Sequence, residues 1–449
     1  MLGFAGTKPC GTGPFTSCAM MFVLVASALC SSAAVGAADG AFVHPGVFVD
    51  APRLARIRAA VLGANASGPL HDAYLAAKRS RYAPNGTYMP RGPPPSGTIE
   101  CGSFSHPDHG CSDEATDTTT AYLSALLWAI GGEPHHAAAA VAVLDAYARG
   151  LKRYNNTNAP LQAAWAAMML SKAAELLAHG HPPPGHPPPH QGHHSSPGSG
   201  SAAQAQTTQA AQVQAAAQAR AAAVSPWPAA DQAALAAMHL AVTVPLIRNG
   251  SGANGNWELS MLDALAGIAV FAEDRALLDH ALALWRQRLP AYFYLHALDG
   301  GAPVPPPRGH PSWYGQATFN ASVDGVCQET CRDLGHMQFG LASALYAAET
   351  ASIQGVDLLG EMQPRIVAAL EFHATLLLNE TAVPADVCAG AGVKIARAPT
   401  FEAGFDQYHR RRNISLPATA RYIAARVRGR DPCVGLIYAA ESLTHGGEL

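Results

Sequence analysis

Charge is scarce in this 449-residue chain: Asp, Glu, Lys and Arg make up 14% of it, and the formal net charge is −3. Without a basic excess it does not bind nucleic acid through a general positive field. Aromatic residues are also sparse, at 7%. Sustained apolar–polar alternation is missing, which argues against a sheet-built domain. Beyond the first 40 residues no run approaches the roughly 20 apolar residues that a membrane span needs. Cysteine is scarce there too, with only Cys101, Cys111, Cys327, Cys331, Cys388 and Cys433.

What is present begins with a targeting pattern. Lys8 is the only charge before the apolar run "AMMFVLVASALC", and small residues follow in "SSAAVGAADG". This predicts a signal peptide over residues 1–38. Six later cysteines, an even number, fit an oxidising compartment. Cys101 and Cys111, separated by a short loop, are the expected pair. Cys327 and Cys331 would share one helix face, where a bond between them is strained, so their expected partners are Cys388 and Cys433. No close second Cys/His pair supports a zinc site among them. Asn-x-Ser/Thr sequons at Asn65, Asn85, Asn155, Asn249, Asn320, Asn379 and Asn413 agree with secretion.

From residue 44 onward the pattern is helical, in Ala/Leu-rich segments such as "APLQAAWAAMMLSKAAELLAHG" (159–180) and "RALLDHALALWRQRL" (275–289) broken by Gly, Pro and Asn. The expectation is an all-α domain over 42–447, built from helical hairpins packed side by side. One stretch interrupts it. Residues 181–223, His/Pro-rich and then Ala/Gln-rich, lack the apolar surface to fold and read as a low-complexity surface insertion.

Three constellations carry candidate chemistry. In "DGVCQETCRDLGHMQFGL" (324–341), a helix reading places Glu329, Arg332, Asp333 and His336 at i, i+3, i+4 and i+7, with Gln328 beside them. A polar face embedded in apolar sequence costs desolvation unless its members satisfy one another or a ligand. It is expected to line the largest cleft; the plainer reading is a buried ion-pair network. In "NGSGANGNWELSMLDALAGIAVF" (249–271), a Gly/Asn loop feeds a helix with Asn254, Asn256, Trp257 and Glu258 at its start, and Asn256 could simply be its N-cap. The loop "PPPRGHPSWYGQATFN" (305–320) clusters Arg308, His310, Trp313 and Tyr314, as binding loops often do.

The segment "CQETCRDLGHMQFGLASALYAAETASIQGVDLLGEMQPRIVAALEFHA" resembles the QE-x-x-RD-x-GH…GL…AAE-x-A-x-QG-x-DL run of the alginate-lyase-type polysaccharide lyases. "FVHPGVFVDAPRLARIRA" (42–58), "GNWELSMLDALAGIAVF" and "ESLTHGG" (441–447) are similar to the same family at its start, middle and end. The resemblance spans nearly all of 42–447 outside the His/Pro stretch. It implies an incomplete (α/α) toroid of paired antiparallel helices around a cleft for an acidic polysaccharide, cleaved at 1,4-linked uronates by β-elimination.

In such a reaction the C6 carboxylate is neutralised, a base removes the C5 proton, and an acid protonates the leaving O4. The resemblance implies a tyrosine as acid, or as both acid and base. Tyr314 is the choice here, with Arg308 to favour a phenolate or hold a carboxylate. Asn256 and Glu258 are the expected neutralisers. Glu329, Arg332 and His336 would line the opposite wall, and Trp257, Trp313 and Gln328 would contact sugar. The chain departs from better-known alginate lyases at "NGNWE", where they carry Asn-Asn-His and no histidine stands here. Two alternatives are a hydrolase using Glu258 and Glu329, and a toroid that binds uronan without cutting it. The expected partner is the polysaccharide alone: no cofactor, no metal, no nucleic acid, no membrane once the signal is removed, and a monomeric secreted protein.

Overall fold

The computed structural model describes residues 41–182, 225–309, 311–380, 382–430 and 437–449. The expected signal peptide, all but the first two residues of the 181–223 insertion, His310 and Cys433 lie outside the described residues.

The long helices are α1 Ala51–Val61, α2 Pro69–Lys78, α3 Cys111–Gly131, α4 Pro134–Gly150, α5 Ala159–His179, α6 Ala229–Ile247, α7 Gly255–Phe271, α8 Arg275–Tyr292, α9 Leu334–Ile353 and α10 Gln363–Leu378. Their ends follow local chemistry. The Asp50 carboxylate accepts the Arg53 N–H at 2.8 Å and Pro52 opens α1, Asp274 accepts the Leu277 N–H at the start of α8, and Gly132 ends α3 with a left-handed φ of 80°.

Two kinds of helix emerge from burial. In α3, α5, α7 and α9 nearly every face is covered. By contrast α8 buries a single stripe, Leu277, Leu278, Ala281, Leu282, Trp285, Arg288 and Leu289, the spacing of a helix with one solvated face. The first kind forms an inner row, α3 against α5, α5 against α7 and α7 against α9. Outer helices back it, α4 on α3 and α8 on α7. Lys172 of α5 and Asp263 of α7 pair at 2.9 Å in the sealed interior. The result is the incomplete (α/α) toroid of paired antiparallel helices.

The inner helices all run the same way. Gln162 at the start of α5 donates to the Cys111 carbonyl at the start of α3. At the far end, Arg58 donates to the Ala129 carbonyl of α3 at 2.9 Å and to the Gly180 carbonyl just past α5 at 2.7 Å. The segment 43–49 lies across that end: Val43 N–H bonds Gln354 after α9, Gly46 N–H bonds Glu175 of α5, and Phe48 N–H bonds Thr350 of α9. A Cβ on Gly46 would fall 2.0 Å from the Val43 carbonyl oxygen, so "HPG" is a packing element remote from the helix starts.

Three features depart from the sequence reading, and the disulfides follow it. A small sheet exists, with Thr98–Cys101 between Asp108–His109 (antiparallel, Glu100 opposite His109) and Arg153–Asn155 (parallel, Thr98 opposite Arg153); strands of two to four residues are too short for alternation to show. Residues 328–333 are turns rather than the first turns of a helix, because Asp333 caps α9 by accepting the His336 N–H at 2.9 Å. Cys331 pairs with Cys388 and Cys101 with Cys111, both as expected; Cys327 is buried with no disulfide partner among the described residues, and Cys433, the remaining expected partner, lies outside them. Helix α6 is long and apolar enough by length and composition to cross a membrane, but Leu235, Met238, Val244 and Ile247 of it are buried in the wall of the toroid.

Candidate active site

Three loops meet at the N-terminal ends of the inner helices. The Asn254 amide donates to the Ser312 carbonyl and accepts the Ser312 N–H, both at 3.0 Å, so the 249–254 loop and the 305–320 loop are clamped together. Gly309 packs so closely on Gly252 that a Cβ there would sit 2.2 Å from its carbonyl oxygen. Gln328 accepts the Gly255 N–H at 2.8 Å and so ties the 327–333 turn to the start of α7. Each side chain spent in this way fixes backbone, which is how a loop-borne site acquires a defined shape.

Arg332 is the shared element. Its guanidinium lies 5.7 Å from the centre of the Tyr314 ring, 3.5 Å from Glu329 and 4.0 Å from Asp333. Tyr314 is 43% exposed and holds a left-handed φ of 47°, a conformation that costs a tyrosine energy and concentrates at functional sites. Asp333 accepts from His336 Nδ1 at 2.7 Å as well as capping α9. Burial alone would raise the Asp333 carboxyl, but the His336 hydrogen bonds and the charges of His336 and Arg332 outweigh it and hold it at about 2. That hydrogen bond puts a proton on His336 Nδ1 and points Nε2 away from Asp333.

Arg332 and His336 line a cavity of about 270 Å³ with Trp257, Trp165, Leu161, Asn158, Thr157, Ser103 and Ser105. This is not the largest hollow: one of about 480 Å³ beside Trp128 and Val141 has an apolar lining without converging polar groups. The cavity wall combines two indoles, a guanidinium, an imidazole and small hydroxyls, the donor-rich and aromatic mixture that suits a sugar. The starts of α5, α7 and α9 also face it, and each helix N-terminus carries about half a positive charge. Arg332 and the starts of α5 and α7 set positive charge against the Asp333 carboxylate, which already caps α9.

Several predicted residues stand elsewhere. Glu258 is fully buried and ion-paired with the equally buried Arg288; burial raises its pKa against the charges of Arg288 and Arg308. It belongs to the packing behind α7: it is fully buried and is not part of the cavity lining, although its Oε1 has no hydrogen-bond partner. Gln328 is also fully buried, its carbonyl oxygen used on Gly255. Glu329 is buried with neither oxygen in a hydrogen bond of ordinary geometry. Burial raises its pKa, against the Arg332 charge and the nearby Asn254 amide, and it serves to hold Arg332. Asn256 lies in the first turn of α7, 2% exposed, with Oδ1 unpartnered; the cap position is Asn254, whose side chain is spent on Ser312. Arg308 is exposed on its loop. Trp313 packs edge-on against Phe319 with its indole N–H unpartnered.

The sequence reading missed Trp165, whose indole N–H is likewise unpartnered, and Ser103, Ser105, Thr157 and Asn158. A tryptophan within two turns of a helix start, as Trp257 also is, was the available signal for Trp165. The others sit on short connections beside the small sheet and carry none. Tyr438 was missed too: buried, its hydroxyl unpartnered, it packs on Phe339, which in turn touches His336 and Trp165.

No family model matches the chain, and no curated protein does. Solved structures do. Alginate lyase A1-III from Sphingomonas species A1 superposes with a TM-score of 0.53 at 15% identity, over 91% of this chain and 98% of that one. A variant of alginate lyase A1-III complexed with tetrasaccharide gives a TM-score of 0.50 at 16% identity, over 82% and 88%. The chain has an alginate-lyase-type fold.

Proposed function

We propose that this protein is a secreted lyase of 1,4-linked uronate polymers, with Tyr314 as its proton-transferring residue. The observation that carries the reading is the position of Arg332, which borders both the Tyr314 ring and the cavity that Trp257 and Trp165 line. The likeness of the fold to a lyase complexed with a tetrasaccharide supports the substrate class. Two disulfides and the sequons support an oxidising, exported setting.

In this mechanism Arg332 binds the C6 carboxylate and withdraws charge from the C5–H bond. Tyr314 takes the C5 proton. The C5–H electron pair becomes the C4=C5 double bond, the C4–O4 bond breaks, and O4 receives a proton from the phenol. His336, oriented by Asp333, holds sugar hydroxyls through Nε2. Glu258 and Glu329 are both sealed beside guanidinium partners, so a two-carboxylate hydrolysis has no exposed pair to use.

The test is incubation of purified protein with alginate, polyglucuronate and ulvan, following the ultraviolet absorbance of unsaturated uronic ends. Absorbance should rise with at least one polymer. Y314F, which keeps the ring, should lower the rate by roughly 10²–10⁴-fold with binding largely kept. No unsaturated product from any polymer, or near-normal turnover by Y314F, would overturn the assignment.

A further inference from the structure

At the end of α5 opposite the cleft, three side chains that can ligate a metal come together. His44, Glu175 and His179 each place a ligand atom within 4.8 Å of the others. His44 Nδ1 is 3.0 and 3.1 Å from the two Glu175 oxygens, and the His44 and His179 rings lie 4.3 Å apart, centre to centre. Zinc bonds of about 2.0–2.2 Å in a tetrahedron put ligand atoms about 3.3 Å apart, so side-chain rotation alone closes the remaining gap.

The surroundings match what a metal-bound histidine requires. Glu175 is 1% exposed and its second task is already fixed, since one oxygen accepts the Gly46 N–H at 2.8 Å. His44 Nε2 faces the Glu273 carboxylate at 3.6 Å, the carboxylate–histidine arrangement that orients a ligating imidazole. His181 follows two residues after His179 and is exposed.

We infer that His44, Glu175 and His179 form a binding site for a divalent first-row metal, zinc by its ligand set, that fastens the 43–49 segment to the end of α5. Two histidines and one carboxylate suit zinc rather than calcium or magnesium, which take oxygen ligands. The site is structural by position. Glu273 follows the C-terminal end of α7 and Trp257 lies at its start, so a 17-residue helix, about 25 Å, separates metal from cleft. The inference therefore stands apart from the lyase reading.

The sequence complicates the test usefully, because His186, His190, His193 and His194 follow in the Pro-rich stretch and bind metal weakly on composition alone. The full chain, stripped with a chelator, is titrated with zinc by calorimetry, with the thermal midpoint followed in parallel. One submicromolar equivalent and a rise in midpoint are expected, both lost in H179A and in E175Q, and both kept when the four Pro-rich-stretch histidines are changed to alanine. If E175Q fails to fold, H179A decides, since it removes only a ring stacked at the surface of the site. Absence of a tight equivalent, its survival in H179A, or its loss with the Pro-rich-stretch histidines would each overturn the site. Activity is not the readout.

Discussion

Glu114 illustrates how single residues here set behaviour that composition hides. It is fully buried in the first turn of α3, where it accepts from Tyr154 at 2.7 Å and from Gln162 at 2.8 Å. Burial pushes its carboxyl up to about 8, against those two hydrogen bonds, from an ordinary 4.5. Between those values the folded protein holds a proton that the unfolded chain has released, so stability falls as pH rises through the window. Glu441, pushed up to about 7 by burial, acts in the same direction. His445, lowered to about 4 by burial, acts in the opposite direction at lower pH. The clean measurement is a difference: E114Q, uncharged at every pH, should lose stability less steeply than the parent between about pH 5 and pH 8 in urea unfolding. Parallel curves would mean that Glu114 is ionised in the fold. The grouping of Tyr314, Arg332 and His336 was legible because polar side chains cluster there in sequence. Residue roles were illegible where burial decides, because Glu258 and Gln328 look like site residues until Arg288 and Gly255 are seen to use them.

Elements were easier to read than their ends. The Ala/Leu segments form the helices expected of them, since a periodic apolar pattern repeated over many residues outweighs local noise. The helix containing His336 begins at Leu334 instead of further upstream, because Asp333 offers a better start than any residue of "CQETCR". That one carboxylate does two things, capping α9 and orienting His336, and the two can be separated. D333A should lose about 1 kcal/mol of stability with the cap, and activity besides. D333N keeps a capping oxygen but not the charge, so it should retain most of the stability while the elimination rate still falls, by at least tenfold if His336 holds sugar. Unfolding curves and rates on the same samples check both. Equal losses in D333A and D333N on both measurements would tie the residue to folding alone.

At the scale of the whole molecule, the shared direction of α3, α5, α7 and α9 gives the toroid two unlike ends. Helix starts, loops and the aromatic cavity occupy one. The 43–49 segment, Arg58 and the His44–Glu175–His179 group close the other. The described residues on either side of the low-complexity stretch lie at the closed end. His181 gives its carbonyl to Arg58, and Ser225, where the described chain resumes, donates its hydroxyl to the Leu177 carbonyl of α5 at 2.8 Å. The chain thus leaves and re-enters the fold within about one turn of the same helix. Replacing residues 183–224 by a short Gly/Ser linker should then leave the cavity intact. Shortening a loop from 42 residues to about 8 lowers its closure entropy cost by roughly 1–1.5 kcal/mol. The shortened protein should keep its elimination rate and unfold at an equal or slightly higher temperature. It should also keep the one tight zinc equivalent, since His44, Glu175 and His179 remain. A large fall in rate would place part of the deleted stretch at the cleft, some 25 Å from where both of its ends are fixed.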